Sequence, residues 1–291
     1  NLQLLLFDEE LAKEGIKEYV HFFVNFAEAQ HEYNIMVTKG ITVEKFLGQL
    51  SVFSHFPTRV LIEKLETAID YHGFGKKTYI EMLYSAVMDE KETLILSSVE
   101  VLGDLEEGET IDHNKKTKIA SEIKIADLAV FDEDRLVGWL NKEEAVVYNL
   151  VMNKIKRTVF VVNGENNNKI SNIVKNASSK VDVKFENNNP KVKIDVKFDI
   201  DVIEDTQGKI PLDLKYLEYI QKQLEKQVKD QIIKCMEKSK NELEVDIFSI
   251  SGMIYKKNPN WWKENKDNYK EIYKQIDFEV NVKPNIRRLD I

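Results

Sequence analysis

An unbroken alternation of apolar and charged residues constrains the fold of this chain more than any other feature. From Val192 to Val202 every second residue is apolar, and a charged residue occupies each position between. Successive side chains of a strand point to opposite faces, so this run predicts a β-strand with one dry and one wet face. The run Val181–Phe185 alternates similarly, and the turn residues 187–190 separate the two runs. We therefore predict an antiparallel hairpin.

A long amphipathic helix is predicted to cover the dry face of this sheet. Pro211 opens a helical pattern that extends from Leu212 to about Ser239. Its apolar stripe consists of Leu217, Ile220, Leu224, Val228, Ile232 and Cys235. A further alternating run over 276–282 predicts a closing strand. The fold class is α+β, with mixed helices and sheet in the first half and an antiparallel sheet packed on one long helix in the second half.

The chain of 291 residues is long enough for one large domain or two ordinary ones. Helical and strand patterns are interleaved in the first part, and the charged segment Gly103–Lys118 shows no periodicity and predicts a loop. A predicted hairpin follows, with strands over 119–131 and 136–140. We divide the chain into an N-terminal and middle α/β region, 1–125, truncated at its start, and a C-terminal domain, 126–291.

Composition excludes several kinds of partner. The net charge is −8 and the basic residues are scattered, whereas a nucleic acid requires a coherent basic face. No run approaches the 18 consecutive apolar residues of a membrane-spanning helix. The single Cys235 excludes an intrachain disulfide and a zinc site built from several thiolates.

Candidate catalytic and metal-binding residues form no recognisable constellation. The five histidines lack metal-ligand spacing, so no metal and no cofactor is predicted; they are His21, His31, His55, His72 and His113. Cys235 lies on the apolar stripe, where a thiolate is unfavourable. The segment Gly73–Lys76 is a fragment of a phosphate-loop pattern without a preceding strand, which predicts a turn between helices. A nucleophile elbow of the GxSxG type is also missing. We predict a protein that is not an enzyme.

Three tryptophans occur in two short motifs. Trp139 lies within Leu136–Leu140, and Trp261 and Trp262 follow Asn258-Pro259-Asn260. The second motif predicts a capped helix whose first turn is fixed to the body of the protein. Anchoring in the core and recognition at the surface are both open for these side chains.

Several blocks, in their order and spacing, resemble one known family. They are Phe7–Gly15, Val37–Gly40, Ala129–Leu140, Asp246–Gly252, Asn258–Pro259 with Trp262, and the closing strand through Ile286–Arg288. Together they resemble the C-subunit lipoprotein family of bacterial spore-germination nutrient receptors, the Ger(x)C-type germination proteins. The matching motif residues, whose structural or interaction role is open, are Gly138, Trp139, Asp246, Phe248, Gly252, Pro259 and Trp262. Ser249 departs from the pattern, since glycine is expected there.

The resemblance implies a non-catalytic lipoprotein on the outer face of the spore inner membrane. Such a subunit would work with integral membrane A- and B-type subunits in a receptor for small nutrients. Its signal peptide, lipid-modified cysteine and the start of its first domain would lie upstream of Asn1, so the fragment itself is expected to be soluble and monomeric. The alternative is an extracytoplasmic nutrient-binding protein, which requires polar groups converging in an apolar pocket.

Overall fold

The computed structural model describes residues 2–25, 33–49, 57–108, 121–164, 168–206 and 214–289. The chain forms two compact units. The first comprises Asn1–Ala68 and Phe74–Lys142, and the second comprises Ile69–Gly73 and Glu143–Ile291. The predicted domain boundary at 125/126 falls within a strand of the first unit. The boundary stays a prediction, because a division into compact units describes how residues pack and does not locate domain boundaries in the sequence.

The first unit is built on a five-stranded mixed sheet. Its strands are β1 (Leu4–Phe7), β2 (Asn34–Thr38), β3 (Ile95–Gly103), β4 (Ser121–Asp132) and β5 (Arg135–Leu140), in that spatial order. The pairs β1–β2 and β2–β3 are parallel, and β3–β4 and β4–β5 are antiparallel. The predicted hairpin over 119–140 is therefore confirmed for its described residues as β4 and β5.

Short helices accompany this sheet. They are α1 (Glu9–Glu14), α2 (Lys17–Asn25), α3 (Val43–Gly48), α4 (Pro57–Thr67), α5 (Ile80–Met88) and α6 (Leu105–Gly108). A π-helical turn, Ala68–His72, continues α4. The helix α6 occupies part of the segment predicted as a loop, and residues 109–120 of that segment lie outside the described residues. The apolar faces of α1, α2 and α5 pack with β2, β3 and β4 in one hydrophobic core.

The turn predicted at Gly73–Lys76 lies between the π-helical turn and α5, as expected. Within the second unit, the Asn149 amide donates to the Gly73 carbonyl at 2.8 Å and the Thr158 hydroxyl donates to the His72 carbonyl at 2.8 Å. Gly73 has φ +76°, and a Cβ there would lie 2.6 Å from Ile155 Cδ1. Glycine is therefore required by both the backbone conformation and the close approach.

The second unit contains a four-stranded sheet, a long helix and a group of short helices. In chain order the elements are α7 (Lys142–Val151), β6 (Thr158–Asn163), β7 (Lys169–Glu186), β8 (Asn189–Asp205), α8 (Leu214–Lys238), α9 (Ile250–Lys257), α10 (Pro259–Asn265), α11 (Tyr269–Gln275) and β9 (Asp277–Leu289). A π-helical turn, Ser239–Leu243, follows α8. The strand order is β6-β7-β8-β9.

The α+β class is confirmed, but the prediction of an antiparallel second sheet is wrong for its last strand. The pairs β6–β7 and β7–β8 are antiparallel, whereas β8–β9 is parallel, so the sheet is mixed. Alternation reveals which face of a strand is buried but not its direction. The direction is set by the connection from β8 through α8 to α11, because a parallel pair needs a long crossover of this kind.

The core of the second unit forms where the sheet meets α8. The alternating apolar residues of β8 from Val192 to Val202 are at most 2% exposed. The α8 residues Ile220, Leu224, Val228, Ile232 and Cys235 are fully buried. The helix lies against both edge strands of the sheet, β6 and β9. The predicted dry face and apolar stripe therefore form this core, except that Leu217, the first residue of the predicted stripe, is only half-buried.

Two adjacent substitutions test the register of β8. We expect Val196→Lys to lower the free energy of unfolding by about 2–4 kcal/mol, because Val196 is fully buried and a charge would enter the core. Lys197→Val, on the exposed face, should change it by less than about 0.5 kcal/mol. Denaturant unfolding of both variants measures the difference, and equal effects would show that the register is wrong.

Candidate functional site

The seven motif residues lie at two separate places. Gly138 and Trp139 are on β5 in the first unit, and the other five lie between the end of α8 and α10 in the second. In the first unit the Trp139 ring is half-buried against the hydrophobic core. Lys39 Nζ lies 5.1 Å from the centre of this ring and 2.6 Å from Asp127 Oδ2. The Trp139 ring thus packs against the apolar core and also makes a cation–π contact with the Lys39 ammonium group.

Gly138 lies beside an irregularity in the β4–β5 ladder. It pairs with Val130, whereas the next ladder pair joins Phe131 to Leu136. Val137 is the extra residue on β5, which is the geometry of a β-bulge. A bulge bends its strand and changes the direction of nearby side chains. We therefore interpret the motif Leu136–Leu140 as the element that directs Trp139 onto the core.

Asp246 is the centre of the motif residues in the second unit. Its carboxyl group is buried, and Oδ2 accepts hydrogen bonds from the Ser251 backbone N–H at 2.7 Å and from the Tyr269 hydroxyl at 2.8 Å. The bond to Ser251 holds the carboxyl group at the start of α9. The bond to Tyr269 ties α9 to α11.

Burial dominates the electrostatics at this carboxyl group. Removal from water raises the pKa of Asp246 above its usual 3.8, although the hydrogen bonds that it accepts act in the opposite direction. Burial and the neighbouring Asp246 also raise the pKa of Tyr269 well above 10.0. Both shifts favour protonated, uncharged groups, as expected for a polar cluster closed off from solvent.

A second polar branch joins the same cluster. The Tyr273 and Ser239 hydroxyl oxygens lie 2.7 Å apart, and the Ser239 hydroxyl donates to the Val245 carbonyl. The Trp262 ring meets the Tyr269 ring edge-on at 5.0 Å. We call Ser239, Asp246, Trp262, Tyr269 and Tyr273 the Asp246 cluster. Each of the five is less than a tenth exposed, so the cluster is closed to a substrate in this conformation.

Sequence reasoning missed three members of this cluster, Ser239, Tyr269 and Tyr273. Tyr269 and Tyr273 are four residues apart, which places them on the same face of α11. That spacing was a usable signal for a buried face. Ser239 and Tyr273 are 34 residues apart, so no pattern of neighbouring residues indicates that their hydroxyl groups meet.

Ser249, where the family pattern leads us to expect glycine, has a backbone conformation that favours glycine. It precedes α9 with φ 52° and ψ 43°, which is the left-handed conformation. Glycine adopts this conformation at no steric cost, whereas serine is strained there. The expected glycine therefore corresponds to a real backbone requirement. Phe248, one residue earlier, is fully buried and its ring lies 5.9 Å from that of Tyr148.

The motif Asn258–Trp262 forms the predicted capped helix. Asn258 Oδ1 accepts from the Trp261 backbone N–H at 3.1 Å, and Pro259 occupies the first turn of α10. Trp261 Nε1 donates to the Asn188 carbonyl at 2.9 Å, which fixes α10 to the turn between β7 and β8. Trp261 and Trp262 are both buried, so they anchor the core. Gly252 lies half-buried in α9.

The single cysteine is also buried. Its pKa is raised to about 12 by burial, with a smaller contribution from Glu144. A thiol with this pKa stays protonated at neutral pH and is a poor nucleophile. The core position of Cys235 predicted from the helical stripe is confirmed.

Metal-binding clusters and membrane-spanning helices are both absent from the described ranges. In that part of the chain, no three His, Cys, Asp or Glu side chains lie close enough to hold a metal ion. His31, His55 and His113 are outside it. None of the described helices combines the length and apolar character needed to span a membrane.

The fold and the family are shown by comparison with known proteins. A solved structure titled "Crystal Structure of the GerBC protein" matches with a TM-score of 0.70 and 18% identity, over 98% of this chain and 79% of that one, which shows the fold. The family model "Spore germination B3/GerAC like, C-terminal" matches residues 126–290, and "Spore germination protein N-terminal domain" matches 1–101. The chain belongs to this family, the Ger(x)C-type germination proteins, which are the C-subunits of germinant receptors.

A curated relative supports the same assignment. "Spore germination protein KC" of Bacillus subtilis (strain 168) is 25% identical over 297 residues, covering 98% of this chain and 71% of that protein. The family resemblance inferred from the ordered blocks is therefore confirmed. The family is not known as a family of enzymes.

The hydrogen bond between Tyr269 and Asp246 can be tested by removing one hydroxyl. We expect Tyr269→Phe to destabilise the protein by about 1–3 kcal/mol, because a buried carboxyl group loses a donor. Tyr19→Phe is the control, since Tyr19 is 44% exposed. Thermal and denaturant unfolding measure both. Equal, negligible effects would show that the bond does not stabilise the fold.

The reactivity of Cys235 tests its burial. At pH 8 we expect the folded protein to react with a thiol reagent at least 100-fold more slowly than the unfolded protein, because the thiol is buried and its pKa is about 12. The measurement is the rate of colour release from a chromogenic disulfide with and without denaturant. Similar rates in the two states would contradict this placement.

Proposed function

We propose that this chain is a non-catalytic subunit of a spore germinant receptor. It acts through protein–protein contacts with integral membrane A- and B-type subunits and so supports nutrient-triggered germination. The observation that carries this proposal is the family match along the chain, over 1–101 and 126–290. A receptor subunit of this kind needs a stable body and contact surfaces rather than an active site.

The geometry of the motif residues supports a role in packing. Asp246 binds the start of α9 and the hydroxyl of Tyr269, and Trp262 packs on Tyr269. Phe248 is fully buried. In this proposal the motif holds the C-terminal region in one shape, and the partner subunits contact its surface.

We further propose that the full protein is held at the spore inner membrane, on its outer face, by a lipid anchor. A lipid tether confines a protein to a thin layer and raises the effective concentration of its partners, so weak contacts suffice. The net charge of −8 fits this arrangement, since it disfavours flat adhesion to anionic lipids. The described chain on its own is proposed to be a monomer.

The alternative, a nutrient-binding protein, is less well supported by the grooves of the second unit. A groove of about 460 Å³ lies between α8 and β9, and charged side chains line most of the α8 side. Another, of about 370 Å³, is lined by charged side chains and one asparagine. Sites for small organic molecules are mostly apolar with a few placed polar groups. These linings favour a contact surface instead.

Three spore strains test the receptor role and the anchor. One lacks the gene, one carries the full gene, and one carries the full gene with its lipid-acceptor cysteine replaced. The fall in optical density after a nutrient is added measures germination. We expect the first strain to respond at least ten-fold more slowly than the second, and the third to lie near the first.

The strains separate two ways in which the proposal fails. A normal response without the gene would overturn the receptor role. A normal response with the unanchored protein, made in equal amount, would overturn the tether and leave the receptor role standing.

A further inference from the structure

The strand β9 forms an edge of the four-stranded sheet, and β8 is its neighbour on one side. Its position in the sheet leaves a row of backbone groups directed away from β8. The Pro284 carbonyl belongs to this row, because it accepts a hydrogen bond from Gln221 Nε2 on α8 at 3.2 Å. Pro284 also has no N–H to donate, which suits an edge strand.

The alternation of the backbone extends this row along β9. In a parallel ladder, residues two apart direct their N–H and C=O groups to the same side. Pro284 directs its carbonyl outward, so Val282 and Val280 direct their N–H and C=O groups outward too. Their side chains are buried on the core face, so these residues are held firmly. The outward groups therefore comprise two N–H donors, those of Val280 and Val282, and three carbonyl acceptors, those of Val280, Val282 and Pro284. Gln221 already donates to the Pro284 carbonyl.

The helix α8 runs beside this edge in the opposite direction. Gln221 bonds to Pro284, and Lys240 Nζ donates to the Ile276 carbonyl at 2.9 Å. Pro284 is eight residues from Ile276, which directly precedes β9, about 26 Å at 3.3 Å per residue. Gln221 is nineteen residues from Lys240, which lies in the π-helical turn after α8, about 28 Å at 1.5 Å per residue. The lengths agree, so helix and strand lie side by side along the groove of about 460 Å³.

The α8 side of this groove carries four exposed charges of alternating sign, Glu218, Lys222, Glu225 and Lys229. Within the described part of the chain, none of the four forms a salt bridge. Along the helix they are separated by about 6, 4.5 and 6 Å. Side chains on one face of an extended strand repeat every 6.6 Å or so, which is close to this spacing. The flank is thus suited to a strand with alternating charges.

We propose that the groove between β9 and α8 binds an extended peptide segment of a partner protein. The segment adds to β9 as a fifth strand through backbone hydrogen bonds at Val280 and Val282, and its side chains facing α8 are alternately basic and acidic. A second copy of β9 fits less well, since its core-face side chains, Val280 and Val282 among them, would meet the charged flank. This inference stands whether or not the proposed function is correct.

A synthetic peptide serves as the probe. It has valine at every second position and lysine, aspartate, lysine and aspartate at the positions between, and it is also made in reverse order because the groove does not fix the direction. Fluorescence anisotropy measures binding, and amide exchange by NMR locates it. We expect binding by one of the two orders, with exchange at the Val280 and Val282 amides slowed at least ten-fold.

Backbone methylation separates strand addition from charge attraction. One peptide is methylated on every valine nitrogen and another on every charged residue's nitrogen. Alternate N–H groups of an added strand point away from β9, so we expect one methylated peptide to lose at least ten-fold in affinity and the other to bind normally.

Two exposed double variants test the charged flank. Lys222→Glu with Lys229→Glu makes the flank wholly acidic, so we expect the mixed-charge peptide to bind at least ten-fold more weakly and an all-lysine version more tightly. Lys226→Glu with Lys234→Glu makes the same charge change at exposed positions of α8 outside the groove lining. This control should leave the mixed-charge peptide's affinity within about two-fold.

Three results would overturn the proposal. The first is unchanged exchange at Val280 and Val282 in the presence of peptide. The second is an equal loss of binding in the two double variants, which would indicate long-range charge alone. The third is a concentration-dependent dimer, seen by sedimentation, that protects the same two amides without peptide; the occupant would then be a second copy of this chain.

Discussion

The need to cover the apolar face of the β7–β8 hairpin governs the second unit. The β8 residues from Val192 to Val202 on this face are at most 2% exposed, and the fully buried stripe of α8 is the apolar surface that complements them. A two-stranded hairpin is marginal on its own in water, because it cannot bury one face. The helix α8 supplies that burial, and β6 and β9 widen the sheet that it covers. The chain after β8 is therefore arranged around the sheet that it has to cover.

The short helices that connect α8 to β9 are held by polar contacts inside an apolar setting. Asp246 and Tyr269 join α9 to α11, and Ser239 and Tyr273 join the end of α8 to α11. A buried polar group is costly unless it is hydrogen-bonded, so these pairs specify one arrangement of the helices. Five of the seven motif residues predicted from the sequence lie in this region.

The same packing leaves an edge. The crossover sets the direction of β9. This strand lies at the edge of the sheet, beside the charged side of α8. Edge strands in stable proteins are commonly covered or blunted. Here one end of the row of backbone groups is blocked, because Gln221 donates to the Pro284 carbonyl and Pro284 has no N–H group. Val280 and Val282 retain their outward N–H and C=O groups. A contact surface with fixed geometry is thereby built from elements whose other faces form the core.

The sequence by itself determined the faces of the elements and the family. Alternation over 192–202 and the stripe from Ile220 to Cys235 follow from periods of 2 and 3.6, so they could be predicted from adjacent residues. The capped helix at Asn258–Trp262 was equally local. Tertiary structure decided the parallel direction of β9, the assignment of Ile69–Gly73 to the second unit and the partnership of Ser239 with Tyr273. These three features depend on contacts between residues far apart in the chain. Hydrophobic periodicity indicates which face of an element is buried, but not which distant residue packs against that face.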